Sequence, residues 1–408
     1  MRISIIVYCM ILTEVIFAQQ FIPIQHDTTL YSHELIFTGI GEVSSTSLRN
    51  ELTSKLILGG EITDQIKEST FSKQGIINRV GVDLNSEIEY RNMKLNFWKN
   101  KNLGLLVRVG YYALGSSAYS KDFFGLVFNG DLDYYGKTAD ISGTYFSFQT
   151  FQKIGFGLIN KTTKSNFSLN YYTVDNYIGG YLNKSGLTQT EDGMNTSMDA
   201  HGIFRSTKGK SFIKGIGLGI DLDYRFSVEI NGKNKSIFQI ITKNIGVANY
   251  YSGLQTYLVD STYKYDGFKL NQLYGDNSIF KDSIVLLDTL NIQKTIEKKT
   301  MILPGFLQFG KIVNENHSGK WQSFFGIRVY PSLAYTPMLY GGAHFSATKN
   351  IDLGSQVSIG GFSNLKIGIY SSFKINKWSI GIASQDLYGA ISKKGFGQSL
   401  LFRVRCKI

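Results

Sequence analysis

Few side chains in this chain have the type and spacing to do chemistry. The five histidines, His26, His33, His201, His317 and His344, stand at no spacing that would bring them together on a metal ion. Only His344 has a reactive neighbour. Ser346 lies two residues on, and residues two apart on a strand share a face, so the two could begin a nucleophilic, ester-cleaving pair. Gly215, Gly217 and Gly219 superficially resemble a phosphate-binding loop, but they fall at strict period two and open no helix, which removes the dinucleotide reading. The largest set is a series of charges at even spacing: Asp83, Glu87, Glu89 and Arg91; Asp221, Asp223 and Arg225; Arg403, Arg405 and Lys407. Arg108 and Arg328 stand singly among apolar residues. No catalytic, metal or cofactor-binding residue is assigned, and no cofactor is expected.

The elements that position these charges are strands. Val80, Val82, Leu84, Ile88 and Tyr90 alternate with Gly81, Asp83, Asn85, Glu87, Glu89 and Arg91. Ile216, Leu218, Ile220, Leu222, Tyr224 and Phe226 alternate with Gly217, Gly219, Asp221, Asp223 and Arg225. The same period governs 365–375 and 402–408. Successive side chains on a strand point to opposite faces, so each segment has one apolar and one polar face. Composition agrees. Among 408 residues only 18% are charged and 14% are aromatic, with 43 Gly and 4 Pro, which excludes a disordered chain and disfavours a helical enzyme. The segments run about 9–14 residues, longer than the usual soluble strand and long enough to cross a bilayer. Aromatic residues at strand ends, such as Tyr90, Tyr224, Phe226 and Trp378, suit interfacial girdles. In lipid only a closed sheet satisfies every strand. The expected fold is all-β, a transmembrane antiparallel β-barrel of about 14 strands with a partly plugged lumen.

Residues 1–18 combine a charged start with a short apolar run and read as a signal peptide cleaved near Ala18-Gln19, which places the chain in a bacterial outer membrane. The expected organisation continues with 19–75, a periplasmic or lumen-plugging segment, and 76–408, the barrel. Within the barrel, 249–300 is a long insertion in which Phe280, Ile284, Leu287 and Leu290 suggest a short helix. Residues 120–128 read as a second, and part of the polar stretch 183–211 as a strand extended beyond the membrane. Removing 1–18 takes one Arg and one Glu, so the formal charge stays at +12. That balance suits lipid and lipopolysaccharide head groups; without a clustered basic tract it does not suggest nucleic acid.

A charge on the lipid face at the bilayer midplane costs about 2–4 kcal/mol, so Asp83, Glu87, Glu89, Arg91, Arg108, Asp221, Asp223, Arg225, Arg328, Arg403, Arg405 and Lys407 are expected to line the lumen. They would form a self-neutralising brace, or else a polar conduit or a site for an anionic ligand. Leu339, Ala343 and Phe345 set the lipid face of their strand, so His344 and Ser346 are expected to point inward too, away from any lipid substrate.

Several segments resemble a Bacteroidota family of outer-membrane barrels of unknown function. The residues concerned are the glycine-rich strand Gly215–Phe226, the short helix and turn of Asp122–Tyr135, the Leu303-Pro304 step, and Gly395–Ser399 before the last strand. The family is related in fold to the long-chain fatty-acid transporter and to the shuttle barrel of type IX secretion. This resemblance implies a non-enzymatic barrel, either a transporter of hydrophobic or amphipathic small molecules or a structural subunit of an envelope secretion or assembly complex.

Overall fold

The computed structural model describes residues 31–97, 100–209, 211–230, 234–265, 292–315 and 319–408. The expected signal peptide and the Phe280–Leu290 helix lie outside the described residues. Fourteen strands make the ring: β1 (His33–Ser45), β2 (Ile77–Asn92), β3 (Leu103–Ser120), β4 (Tyr145–Asn160), β5 (Asn166–Leu182), β6 (Gly215–Ile230), β7 (Asn234–Tyr265), β8 (Phe306–Ile312), β9 (Trp321–Val329), β10 (Thr336–Ser346), β11 (Ile351–Gly361), β12 (Ser363–Ile375), β13 (Trp378–Ser384) and β14 (Gly397–Lys407). Each is antiparallel to the next in order. β14 returns to β1 with Glu34 opposite Lys407 and Ser44 opposite Gly397, which closes the sheet and leaves no edge in the ring. Among the described residues no helix is long and apolar enough to cross a membrane; the strands cross it.

The alternation read from the sequence becomes an outer belt and an inner face. Ile88, Val109, Phe156, Leu169, Leu218, Ile220, Phe309, Leu339, Val357, Ile367 and Ile380 are exposed on the outside. Toward the end carrying the short turns, outward rings stack across neighbouring strands: Phe226 on Phe238 at 6.0 Å, and Phe238 on Phe309 at 5.9 Å. A band of this kind belongs at a membrane–water boundary.

The other, loop end carries the long connections. Helices α1 (Asn50–Leu58) and α2 (Asp64–Phe71) join β1 to β2, and α3 (Lys121–Phe128) follows β3. The side chain of Ser120 caps α3 by accepting from Phe123 N at 3.0 Å. Leu52, Ile66, Tyr119 and Phe124 bury one another where the three helices meet. A short helix, α4 (Leu387–Ile391), joins β13 to β14 and receives Asn50, whose amide donates to Gly389 O at 2.7 Å.

Two expectations need correction. Residues 33–45, expected to be lead-in or plug with only a weak strand near 38–47, are a wall strand paired on both sides along their length. Their alternation is weak because Ile36 and Ile40 face inward while Gly39 and Gly41 take outward positions. Most of 249–300 outside 266–291 is not a loop. β7 runs on to Tyr265, pairing with Thr196–Thr207 on one side and Gln293–Ile302 on the other. The wall is therefore much taller here than along β9–β14.

Candidate functional site

The candidate site is the barrel interior. Every second residue of β2, β3, β4 and β6 points inward, and this spacing stacks Glu87, Glu89, Arg108, Lys153 and Asp221 in one layer, each buried. Glu87 is its hub: its carboxylate accepts from Lys153 Nζ at 2.6 Å, Lys243 Nζ at 2.5 Å and the Tyr112 hydroxyl at 2.5 Å. Lys153 also reaches Asp221 at 2.8 Å. Glu89 accepts from Arg91 Nε and Arg108 Nε, both at 2.6 Å, and Arg91 continues to Glu34 at 2.8 Å. Arg225 holds Asp223 through two nitrogens, at 3.0 and 2.7 Å.

Lys243 explains how the layer spans the barrel. It stands on β7, five strands round the ring from β2, so its bond to Glu87 crosses the interior. Between Thr242 and Ile245 the β6–β7 register shifts, and Asn244 adopts φ 55°. Asn244 N is satisfied by Asp221 Oδ1 at 2.8 Å. Lys243 keeps the inward parity of Gln239 and Ile241, and the bulge reverses the faces beyond it, so that Ala248 and Tyr250 point inward.

Two cavities among the described residues lie in this interior, and both are small. Beside the layer lies a cavity of about 40 Å³, lined by Thr38, Asn85, Glu87, Arg91, Arg403 and their neighbours. Asp83 and Arg328 line a second of about 30 Å³, with Glu42, Tyr330, Tyr335 and Phe362. A single water needs roughly 10–15 Å³ by this measure, so each cavity takes a few waters and no organic ligand. Across the second cavity, Lys366 reaches Glu42 at 2.7 Å from three strands away.

The remaining candidates divide. Arg328 donates to Gln308 Oε1 at 2.8 Å and lies over the Phe306 ring at 4.9 Å. Arg405 approaches Glu34 at 3.8 Å and Glu315 at 3.6 Å. Lys407, at the turn end, bonds the Tyr31 hydroxyl at 2.7 Å. His344 is buried, with Nδ1 2.8 Å from the Tyr370 hydroxyl and Nε2 3.2 Å from Ser346 Oγ. Ser346 in turn donates to Asp352 at 2.9 Å. In a catalytic triad the histidine bridges serine and carboxylate. Here the Ser346 hydroxyl donates to the carboxylate and His344 Nε2 lies 3.5 Å from the same Asp352 oxygen, so the three side chains form one inward cluster rather than a serine–histidine–carboxylate relay.

Gly217 and Gly219 face inward, where β6 closes on β7. A side chain on Gly219 would stand 2.6 Å from Ile245 O and 3.0 Å from the Tyr172 ring. These glycines make room for close packing and bind no phosphate. Sequence reasoning missed Lys153, Lys243 and Glu34. Lys153 lies among inward Phe151 and Gly155 on a strand without a clear polar face, and Lys243 lies just before a bulge beyond which the inward parity of its strand reverses. Charge balance was the available signal, because the inner-face acids of β2 and β6 demanded cations on the intervening strands. No group of His, Cys, Asp and Glu among the described residues could hold a metal ion.

No family model and no curated protein matches the chain. Solved structures that superpose on it include the TodX deltaS2S3 mutant monoaromatic hydrocarbon channel (6% identity, 92% of this chain and 90% of that chain, TM-score 0.44). The P. putida toluene transporter TodX is another (7%, 91% and 87%, 0.38), as is the β domain of the Bordetella autotransporter BrkA (9%, 92% and 100%, 0.29). Likenesses this distant say nothing about substrate.

Proposed function

We propose that this protein is a non-enzymatic outer-membrane barrel that takes up hydrophobic or amphipathic small molecules at its loop end and offers no open aqueous pore. The observation that carries the reading is the apolar character of the loop-end helical unit. Above the buried cluster of Leu52, Ile66 and Phe124, the side chains of Leu56, Ile57, Leu58, Ile76, Val127 and Leu132 are exposed outside the strand belt. Scattered apolar exposure is ordinary, but six such residues on one packed unit form a surface suited to apolar ligands. Below it the charged layer bars a straight route through the lumen, which favours release toward the bilayer.

The test is saturable binding of a fluorescent long-chain fatty acid to the full chain in nanodiscs. Wild type should bind, and Leu56→Glu/Leu58→Glu should lose at least tenfold in affinity while keeping its unfolding midpoint. Equal binding by the two, or equal fatty-acid uptake by wild-type and deletion strains, would contradict the reading.

A second reading, a subunit of an envelope complex, is favoured by a different feature. Gln293–Ile302 pairs with β7 on one side only among the described residues, and an open strand edge is a template for another chain. Affinity purification with mass spectrometry should then recover a large assembly; a monomer after gentle extraction would count against it.

A further inference from the structure

We propose that the cavity beside the charged layer binds a small monovalent anion, halide in size, through Arg403. The first observation is a charge count. Four carboxylates and five cationic side chains line this cavity. Pairing offsets the cost of taking a charge out of water, so a surplus, half-buried cation beside the layer favours a counter-charge.

The second observation identifies which cation is left over. Arg403 stands opposite Thr38 on β1, and Thr38 stands opposite Glu87 on β2, so Glu87 is the nearest acid across the inner face. Both oxygens of Glu87 are already taken, one by Lys243 and the other by Lys153 and Tyr112. One row toward the turn end, Arg91 and Arg108 occupy the two oxygens of Glu89. Asp223 is held by Arg225 and Gln239, and Asp221 by Lys153 and Asn244 N. Every carboxylate lining the cavity is thus engaged by donors on β2–β7, and none by a donor on β14. Arg403 makes no ion pair or hydrogen bond with any described residue, and the like-signed Arg405 and Arg91 act on it more strongly than the acids Glu89 and Glu34 do.

The third observation is size. A guanidinium has five N–H donors, and here they face a space of about 40 Å³, enough for a halide with one or two waters. Thr38, also on the cavity wall, supplies a hydroxyl donor. A fatty-acid chain or a phosphorylated metabolite does not fit, which separates this site from the loop-end surface and makes the anion part of the wall's bracing.

Thermal unfolding of the full chain in an uncharged detergent tests this, comparing chloride with gluconate at equal ionic strength. Chloride should raise the midpoint saturably, Arg403→Gln should lose that response, and the exposed control Lys298→Gln should keep it. Identical wild-type midpoints in the two salts, or an unchanged response in Arg403→Gln, would overturn the proposal. Should Arg403→Gln fail to fold, crystals of the wild type soaked in bromide give a second readout. An anomalous peak within hydrogen-bond reach of Arg403 is expected; water alone, or an adventitious ion elsewhere only, would overturn the assignment.

Discussion

The wall from β2 to β7 and the wall from β9 to β13 obey the same alternation and fill the barrel in different ways. On the β2–β7 side the inner residues are charged, and Glu87, Lys153, Asp221 and Lys243 tie four strands into one ion-paired layer. On the β9–β13 side the inner charges, Arg328, His344, Asp352 and Lys366, stand in separate groups around a cluster of rings and glycines. Phe324, Met338 and Tyr370 form a buried cluster with Tyr340 against it, and Tyr370 lies on Gly354. The difference shows that an inward face need only exclude lipid. One linked ion-paired layer below a ring cluster braces the tall wall, while the short wall sets separate charged groups around rings over glycines.

The two modes should break differently. Glu87→Ala leaves Lys153 and Lys243 facing each other without their shared carboxylate and should cost about 3–5 kcal/mol, read from the urea midpoint of the refolded barrel. A loss below about 1 kcal/mol would mean the layer is wet and loosely held. Ile220→Arg, one residue from Asp221 but on the lipid face, should cost about 2–4 kcal/mol in lipid, because the same charge changes sides. If it costs nothing, the inner and outer faces of β6 are misassigned. Gly354→Ala puts a methyl into the Tyr370 ring and should cost about 1–3 kcal/mol. Tyr370→Leu in the same chain should recover part of that, a coupling a double-mutant cycle reads directly.

Much of this arrangement was legible in the residues. β2, β6, β12 and β14 alternate so cleanly that their inner faces could be written down from Asp83 to Lys407. Two kinds of feature were not legible. β1 inverts the usual pattern, with Ile36 and Ile40 inside and Gly39 outside, so its period-two signal cancels and only pairing with β2 and β14 defines it. Lys243 lies where the faces of β7 reverse, odd positions inward up to it and even ones inward beyond the bulge, so no single period marks the strand's inner face. The hub role of Glu87 is also invisible along the chain, because its partners Lys153 and Lys243 lie 66 and 156 residues away.

The closed interior is the claim on which the rest depends, since a braced lumen and an open conduit are incompatible. Single-channel recording of the purified wild-type barrel in a planar bilayer tests it most directly. No conductance step above the bilayer's own leak is expected from wild type, and Glu87→Ala should open intermittent steps. A steady ohmic conductance from the wild type, unchanged by Glu87→Ala, would contradict it.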